Sequence, residues 1–187
     1  EEISSETIIA QKLAAKLSSG RQKAAEMLRK IVEKSLSLMD MPAAKFVVNI
    51  QSSTELNPYG MDKITFLFSA NNSLAPRSLA EVASGGEMSR VMLALKALTS
   101  RQIQLPTIVF DEIDTGVSGK VASSMAQIMG EMCKEAEQQV LAITHLPQIA
   151  AKADVHYFVY KEDVDGRTLT RIRELDSEQR ITELAHM

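Results

Sequence analysis

Residues 6–39 carry a repeating pattern of apolar and small side chains. The pattern advances in steps of three or four residues, the spacing of a coiled-coil seam, at Leu13, Leu17, Gly20, Ala24, Met27, Ile31, Ser35 and Leu38. No proline and a single glycine interrupt it, so it predicts one helix of over thirty residues. Such a helix is about three times the average length. We expect residues 1–41 to form the root of a coiled-coil arm; one long core helix is the alternative.

Two short apolar runs follow the Met41-Pro42 helix break. Residues 46–50 and 64–68 predict strands, and a loop containing residues 57–60 joins them. An antiparallel pair is the natural arrangement for two strands so close in the chain.

Residues 87–187 alternate between helical patterns and short apolar strands. This alternation is typical of a parallel sheet with helical crossovers. A terminal hairpin and a last helix are expected to follow it. The predicted elements are helices at 87–100, 119–134, 147–152 and 178–187 and strands at 107–110, 139–143, 155–161 and 168–175.

The composition is that of a soluble globular chain. Its 187 residues are 45% hydrophobic and 24% charged, which is enough apolar content to bury a core. No apolar run is long enough for a membrane helix, and no signal peptide is recognisable. We therefore expect a cytosolic protein without a membrane partner. The single cysteine, Cys133, excludes an internal disulfide and is expected to pack as a small apolar residue. The first residue is not Met, which suggests a piece of a longer chain.

Charge along the chain is uneven. The formal net charge of −3 does not suggest nucleic acid binding, yet residues 12–34 hold seven basic residues against two acidic ones. Such a face can attract a phosphate backbone. The alternative is an ordinary solvated helix face, and the absence of aromatic residues between the charges favours it.

Ser84, Gly85, Gly86 and Glu87 stand at the start of a predicted amphipathic helix. Free backbone N–H groups and the helix dipole at such an N-terminus favour an anion such as a phosphate, and the glycines allow close approach. The alternative is a serine that only caps an ordinary helix.

Asp111 and Glu112 end a predicted apolar strand. Ligands of parallel α/β sheets bind at this edge, and adjacent residues of an extended chain point in opposite directions. One carboxylate can then face Mg²⁺ through its water shell while the other faces an attacking water, as phosphoryl transfer requires. A solvated loop start is the alternative.

His145 follows the next predicted strand directly after Thr144. A histidine there can donate a hydrogen bond to a terminal phosphate, although a lone histidine at a strand end is more often structural. His156 and His186 have no comparable context, and we expect both to be structural.

Residues 114–119 contain two glycines and small polar residues, which suit a tight loop at a subunit interface beside the acidic pair. Ser118, Gly119 and Lys120 resemble the end of a phosphate loop, but Asp114 stands where its first glycine is required and Val121 where serine or threonine is required. No phosphate loop with its lysine occurs anywhere in the sequence.

In their order, these segments resemble the C-terminal half of an ATP-binding-cassette ATPase head of the chromosome-maintenance, or SMC-like, family. The match is signature loop, Walker B strand, D-loop and switch histidine. The resemblance implies an α/β fold: residues 42–187 would form the C-terminal lobe of an ABC-type P-loop ATPase head, with a parallel-sheet core and flanking helices. The coiled-coil-root helix of residues 1–41 and the antiparallel strand pair would accompany it.

The same resemblance implies roles for individual residues. Asp111 would help hold Mg²⁺ through water, Glu112 would be the general base or water-positioning residue, and His145 would touch the γ-phosphate of ATP. Ser84, Gly85, Gly86 and Glu87 would contact ATP bound on a second head. The D-loop residues of the nucleotide site would be Asp114, Gly116 and Ser118.

Residues 79–90, 109–119 and 143–150 resemble most closely a bacterial branch of the family that repairs DNA double-strand breaks by recombination. Expected partners are DNA, the chain's own N-terminal head half with the phosphate loop, a second copy joined through ATP-bound heads, and a recombinase as a further candidate. We expect a cytoplasmic, nucleoid-associated ATPase whose present segment is inactive alone. The alternatives are a head segment of another SMC or Rad50-type ATPase, and a non-catalytic DNA-binding scaffold module.

Overall fold

The computed structural model describes residues 2–82, 84–117, 119–136, 138–164 and 166–187. The chain divides into two compact units, Glu1–Ala94 and Leu95–Met187. The boundary falls within a helix and not near residue 41, so the first helix belongs to the same unit as the strands that follow it. The functional division between residues 1–41 and 42–187 stays a prediction. Among the described residues, no helix is long and apolar enough to cross a membrane.

Helix α1, Glu2–Leu38, confirms the predicted long helix. Its end has a defined cause. Asp40 adopts a left-handed backbone, φ 64°, and the Met41 N–H donates back to the Leu36 carbonyl at 3.0 Å. This is the pattern of a Schellman cap, and Pro42 then prevents further helix.

Two faces of α1 have different environments. One face packs on the first strands of the chain, and its buried residues are Ala14, Ser18, Val32 and Leu36. The predicted seam lies on another face, whose large apolar side chains are 42–65% exposed: Leu13, Leu17, Met27, Ile31 and Leu38. These seam residues therefore lie outside the core of the described residues, and the alternative of one long core helix stays untested. A coiled-coil partner for them stays a prediction.

The first unit contains an antiparallel sheet. Strands β1, Lys45–Asn57, and β2, Gly60–Ser69, pair with Phe46 opposite Phe68 and confirm the predicted pair. Both strands are longer than predicted. A short strand β3, Arg77–Ser78, adds to β2 and was not predicted. Its two residues carry too little pattern to be recognised in the sequence.

Arg21 connects α1 to the β1–β2 turn. Its guanidinium donates to the Asp62 carboxylate at 2.9 Å and to the Tyr59 carbonyl at 2.7 Å. Gly60 completes the turn with φ +104°, where L side chains are strained, and a Cβ there would lie 3.2 Å from Leu17. Glycine therefore suits this position, because it adopts the positive φ without strain and leaves room for the Leu17 side chain.

The second unit contains a parallel strand pair and an antiparallel hairpin, as predicted. The parallel pair is β4, Thr107–Asp111, with β5, Gln139–Ile143. The hairpin is β6, Tyr157–Val164, with β7, Arg167–Glu174. The helices, each also predicted within a few residues, are α2, Gly85–Ile103, which begins in the first unit, α3, Gly119–Ala136, α4, Pro147–Ala150, and α5, Ser177–His186.

The core of the second unit is built from one face of the parallel pair and from α3. Phe110 of β4 is buried, and the buried side of α3 is rich in methionine: Ala122, Met125, Ala126, Ile128, Met129 and Met132. Thioether side chains fill irregular space easily. Cys133 is half-buried and free, in keeping with its expected role as a packing residue.

Substituting Gly60 by alanine should destabilise the chain. The positive φ and the close contact with Leu17 together should lower the free energy of unfolding by about 1–3 kcal/mol. Gly20→Ala is the matched control, because Gly20 is an exposed helical glycine with no atom within 4 Å of an added Cβ. It should stabilise α1 by up to about 1 kcal/mol. Urea unfolding of both variants measures the difference, and equal effects would contradict the close approach of turn and helix.

The Arg21–Asp62 pair should make stability depend on pH in the acid range. The hydrogen bond from Arg21 is the main cause that holds the pKa of Asp62 below its ordinary 3.8, with burial acting in the opposite direction. A carboxyl with a lowered folded-state pKa stabilises the fold above its ordinary pKa and loses that contribution as pH falls through the lowered value.

We therefore expect Arg21→Met to lower the unfolding midpoint at neutral pH, and the difference from the unmodified chain to shrink below pH 3.8. Thermal unfolding followed by circular dichroism across this range measures it. Lys23→Met, an equal charge change on an exposed position of α1, is the control and should show no such convergence. A gap that is independent of pH would contradict the role of the pair.

Candidate functional site

The segment Ser84 to Glu87 forms the start of α2. The Ser84 carbonyl accepts from the Met88 N–H at 3.0 Å, and its hydroxyl oxygen lies 3.4 Å from the Glu87 nitrogen. Ser84 is therefore the cap of the helix, with a weak side-chain bond. Ser84 and Gly85 are exposed, so their polar groups also remain open to an anion at the positive end of the helix.

Arg90 fixes this helix start against the end of α1. Its Nε donates to the Gly86 carbonyl at 3.0 Å, and its Nη1 donates to the Met39 carbonyl at 3.1 Å. A cation bonded to the last carbonyls of a helix also complements the helix dipole. Arg90 could not be predicted as a site residue, because a basic residue on a helix gives no sign of a bond to a residue 51 positions away.

The acidic pair and the histidine lie at one edge of the parallel strand pair. Asp111 is directly opposite Ile143 in the register of β4 and β5, and His145 follows Ile143 by two residues. The Glu112 N–H donates to the Ile143 carbonyl at 3.1 Å, which extends the ladder by one bond. Asp111, Glu112 and His145 are all exposed. They lie at the carboxyl ends of two paired parallel strands. This is the edge at which ligands of such sheets bind.

Glu112 was predicted to continue the extended chain, and this prediction is wrong. Its backbone is left-handed, φ 47°, a conformation that is uncommon for a residue other than glycine. The two carboxylates are therefore separated by a sharp turn after Asp111 and not by simple strand alternation. Non-glycine residues held in this region cluster at functional sites.

The turn after Glu112 is closed by its own hydrogen bonds. The Thr115 N–H and hydroxyl donate to the Glu112 carbonyl at 3.2 and 2.8 Å, and the Val117 N–H donates to the Asp114 carbonyl at 3.0 Å. Gly116 has φ 75° and is exposed. Ser118, the third predicted D-loop residue, lies outside the described residues. The turn thus presents Thr115 and Gly116 to solvent, while the Asp114 side chain is only 1% exposed.

The turn that carries His145 is held by its neighbour Thr144. The Thr144 hydroxyl donates to Oδ2 of Asp114 and accepts from the Leu146 N–H at 3.0 Å. Thr144 was not predicted to have a role, since a threonine at a strand end has many possible partners. Its position directly before His145 was the signal that could have found it.

Helix α4, directly after this turn, is anchored from α5. Arg180 donates to the carbonyls of Ala150 and Ala151, both at 2.9 Å, and to that of Ala153. These carbonyls lie at and just after the end of α4, where a helix leaves carbonyls without intrahelical partners, so one guanidinium adds bonds to three of them. His186 lies in the last turn of α5, and His156 belongs to the segment before β6, so neither lies in the turn that carries His145.

The acidic residues suit one kind of metal site. Among the described residues, no group of three or more His, Cys, Asp or Glu could hold a metal by itself. Asp111 offers one exposed carboxylate at the sheet edge. Mg²⁺ is usually held by one or two carboxylates together with water and substrate phosphates. The donor set therefore fits a Mg²⁺ that arrives with a nucleotide, and it does not fit a structural zinc site.

The structure brings together Asp111, Glu112, the turn of Asp114 and Gly116, and His145 in the second unit. Ser84, Gly85 and Gly86 belong to the first unit. The predicted site residues therefore divide between the two units, with those at the start of α2 in the first and those at the β4–β5 edge in the second.

Proteins of known function resemble this chain over most of its length. It is 38% identical over 175 residues to DNA repair protein RecN of Vibrio cholerae, covering 93% of this chain and 31% of that protein. It is 47% identical over 133 residues to DNA repair protein RecN of Bacillus subtilis, covering 71% and 23%. The matched part is the C-terminal portion of these proteins. The chain thus spans about a third of the length of the first of these relatives. No protein-family model matches it.

Solved structures resemble the fold. The Smc head domain of Pyrococcus yayanosii, with a coiled coil and joint, matches with a TM-score of 0.66 at 20% identity, covering 88% of this chain and 30% of that one. A chain from work on ATP-driven dimerization and DNA-stimulated activation of SMC ATPases matches with a TM-score of 0.62 at 18% identity, covering 90% and 96%. The predicted fold class, part of an SMC-like ATPase head, is confirmed.

The left-handed backbone of Glu112 should cost stability that glycine would recover. We expect Glu112→Gly to raise the free energy of unfolding by about 0.5–1 kcal/mol, because glycine adopts this conformation without steric strain. Glu112→Gln keeps the strain and should change stability by less than about 0.5 kcal/mol. Urea unfolding distinguishes the two. Equal stabilities of the glycine and glutamine variants would show that the turn is not strained.

Proposed function

Since the chain belongs to the RecN family of DNA repair proteins, we propose that it is the C-terminal segment of an ATPase head that acts in DNA double-strand-break repair and recombination. In the full-length protein, this segment would supply the residues that hydrolyse ATP and those that join two heads through ATP. The observation that carries the proposal is the β4–β5 edge, where Asp111, Glu112 and His145 meet on adjacent strand ends.

The roles of these residues follow from their chemistry and position. Glu112, exposed on a fixed left-handed turn, would orient the attacking water and accept its proton. His145, exposed on the neighbouring turn, would donate a hydrogen bond to the γ-phosphate. Asp111 would hold Mg²⁺ through water. Bound with ATP, Mg²⁺ would neutralise negative charge on the phosphates during hydrolysis.

The start of α2 would act on a different nucleotide. Ser84 and Gly85 expose a hydroxyl and backbone N–H groups at a helix N-terminus, which suits a phosphate approaching from outside the chain. We propose that Ser84, Gly85, Gly86 and Glu87 contact ATP bound on a second head. ATP would then hold two copies together, and hydrolysis would release them. The exposed turn at Gly116, with Ser118, would lie at this contact.

An exposed apolar surface on the parallel strand pair supports the proposal that another part of the protein covers it. Val109, Leu141 and Ile143 lie on one face of β4 and β5 and are 50%, 43% and 56% exposed. Parallel sheets are normally covered on both faces. We propose that the N-terminal half of the same head, which would also contribute the phosphate loop, covers this face. By the same argument, a second helix would cover the exposed seam of α1.

DNA is the proposed macromolecular partner of the full-length protein. The basic excess of α1 between Lys12 and Lys34 is one surface of this segment that could contribute to binding. Internal ion pairs use part of that charge, because Arg29 is bonded to Glu26 and Glu33 and Arg21 to Asp62. Other basic residues of the described chain form no ion pair with these three acidic residues, among them Lys12, Lys16, Lys23 and Lys34.

Replacement of Glu112 by glutamine in the full-length protein tests the catalytic assignment. The variant keeps the shape of the side chain but cannot accept a proton, so ATP hydrolysis should fall by on the order of 10² to 10⁴. Nucleotide affinity should be retained, and ATP-dependent dimers should persist longer in analytical ultracentrifugation. Ser84→Arg should prevent those dimers while leaving ATP binding to the separate head intact.

Glu162→Gln is the matched control, because Glu162 is an exposed residue of β6 paired with Arg171, and its hydrolysis rate should equal that of the unmodified protein. Normal hydrolysis by Glu112→Gln would show that the assignment of Glu112 is wrong. If the full-length protein bound DNA with a steep salt dependence but had no ATPase activity at all, a scaffold function would replace the proposed one.

A further inference from the structure

Asp114 is a buried charged residue, with 1% of its surface exposed. A carboxylate removed from water needs hydrogen bonds or a counter-charge to offset its lost hydration. Asp114 has one bond, from the Thr144 hydroxyl to Oδ2, and Oδ1 has no partner in the described chain. Its burial is thus poorly compensated, and a function for the carboxylate would explain why it is buried there.

The Thr144 hydroxyl is used in two directions. It donates to the Asp114 carboxylate and at the same time accepts from the Leu146 N–H. His145 is the residue between Thr144 and Leu146, so one hydroxyl fixes the backbone on both sides of the histidine. The other end of the bond, Asp114, lies in the turn that begins at Glu112.

The backbone of Glu112 is connected to the same group of bonds. Its N–H donates to Ile143, directly before Thr144, and its carbonyl accepts from Thr115, directly after Asp114. Glu112 and His145 are therefore joined by two routes, one through the strand ladder and one through the Asp114–Thr144 hydrogen bond. Charge-assisted hydrogen bonds are the stronger kind and fix geometry closely.

We propose that Asp114 and Thr144 are positioning residues that hold the Glu112 turn and the His145 turn in one arrangement for ATP hydrolysis. This inference rests on the proposed ATPase function and gives Asp114 a role that differs from direct contact with nucleotide. The buried carboxylate acts through Thr144, and the exposed part of the turn, at Thr115 and Gly116, remains free to meet a second head.

Thr144→Val in the full-length protein tests the inference, because valine keeps the shape of the side chain and removes only the hydroxyl. We expect kcat for ATP hydrolysis to fall about 10- to 100-fold, as misplacement of reacting groups by a fraction of an ångström does. KM and the equilibrium affinity for a fluorescent ATP analogue should change little, since neither residue touches the nucleotide. Thr144→Ser restores the hydroxyl and should restore most of kcat.

Asp114→Asn provides a second variant of nearly unchanged volume. Its amide oxygen can still accept from Thr144, but the bond is no longer charge-assisted, so kcat should fall less than in Thr144→Val. The double variant should be no slower than Thr144→Val alone, because Asp114→Asn only weakens a bond that Thr144→Val already removes. Thr182→Val is the control: the Thr182 hydroxyl bonds to the Glu178 carbonyl on an exposed face of α5, and its kcat should be unchanged.

Several outcomes would overturn the inference. These are a Thr144→Val protein with normal kcat, a serine variant as slow as the valine variant, additive losses in the double variant, or losses of activity that only follow the unfolded fraction measured by circular dichroism. Glu112→Gln, assayed in parallel, separates the two proposals. If it is slow while Thr144→Val is normal, only the positioning role fails; if it is normal, the proposed catalytic function itself fails.

Discussion

The parallel pairing of β4 with β5 is the constraint on which the candidate site depends. It places Asp111 opposite Ile143, and one further bond, from Glu112 to Ile143, carries the alignment past the ends of the strands. A shift of one residue in this register would turn every side chain of a strand to the other face. Phe110 is buried on one face, while Val109 is half-exposed on the other, so the core fixes the register. The acidic turn and the histidine turn meet because of it.

Much of the fold could be predicted because its elements have strong periodic patterns. The seam of α1, the alternation after residue 87 and the hairpin at the C-terminus were all recognisable, and β5 agrees with its predicted bounds residue for residue. The motif residues could be assigned to strand ends for the same reason. What could not be predicted depends on tertiary contacts. The left-handed turn of Glu112, the burial of Asp114 and the bond from Arg90 to Met39 leave no local signal in the sequence.

Two exposed apolar surfaces of the chain each require a partner to cover them. The seam of α1 and the open face of β4 and β5 both expose large apolar side chains. Isolated exposed apolar residues are ordinary, but aligned ones on a helix face or a sheet face mark surfaces made for contact. Each surface fits a different kind of partner. A coiled-coil seam packs against another helix, and a face of a parallel sheet is covered by a further layer of structure. The proposed partners, a second helix and the N-terminal half of the head, are of these two kinds.

Several features that lower the stability of the fold lie together at the β4–β5 edge. Within a few residues the chain holds a left-handed glutamate, a buried aspartate with one oxygen that has no hydrogen-bond partner among the described residues, and an exposed apolar strand end. Each of these lowers the stability of the folded chain, and a sequence selected only to fold would not keep them together. The proposed catalytic role would explain all three. In that proposal, water must reach Glu112, the turns must be fixed although they are exposed, and the strand ends must remain open until another part of the head covers them. The structural departures thus lead to the same residues as the motif order, by a separate line of argument.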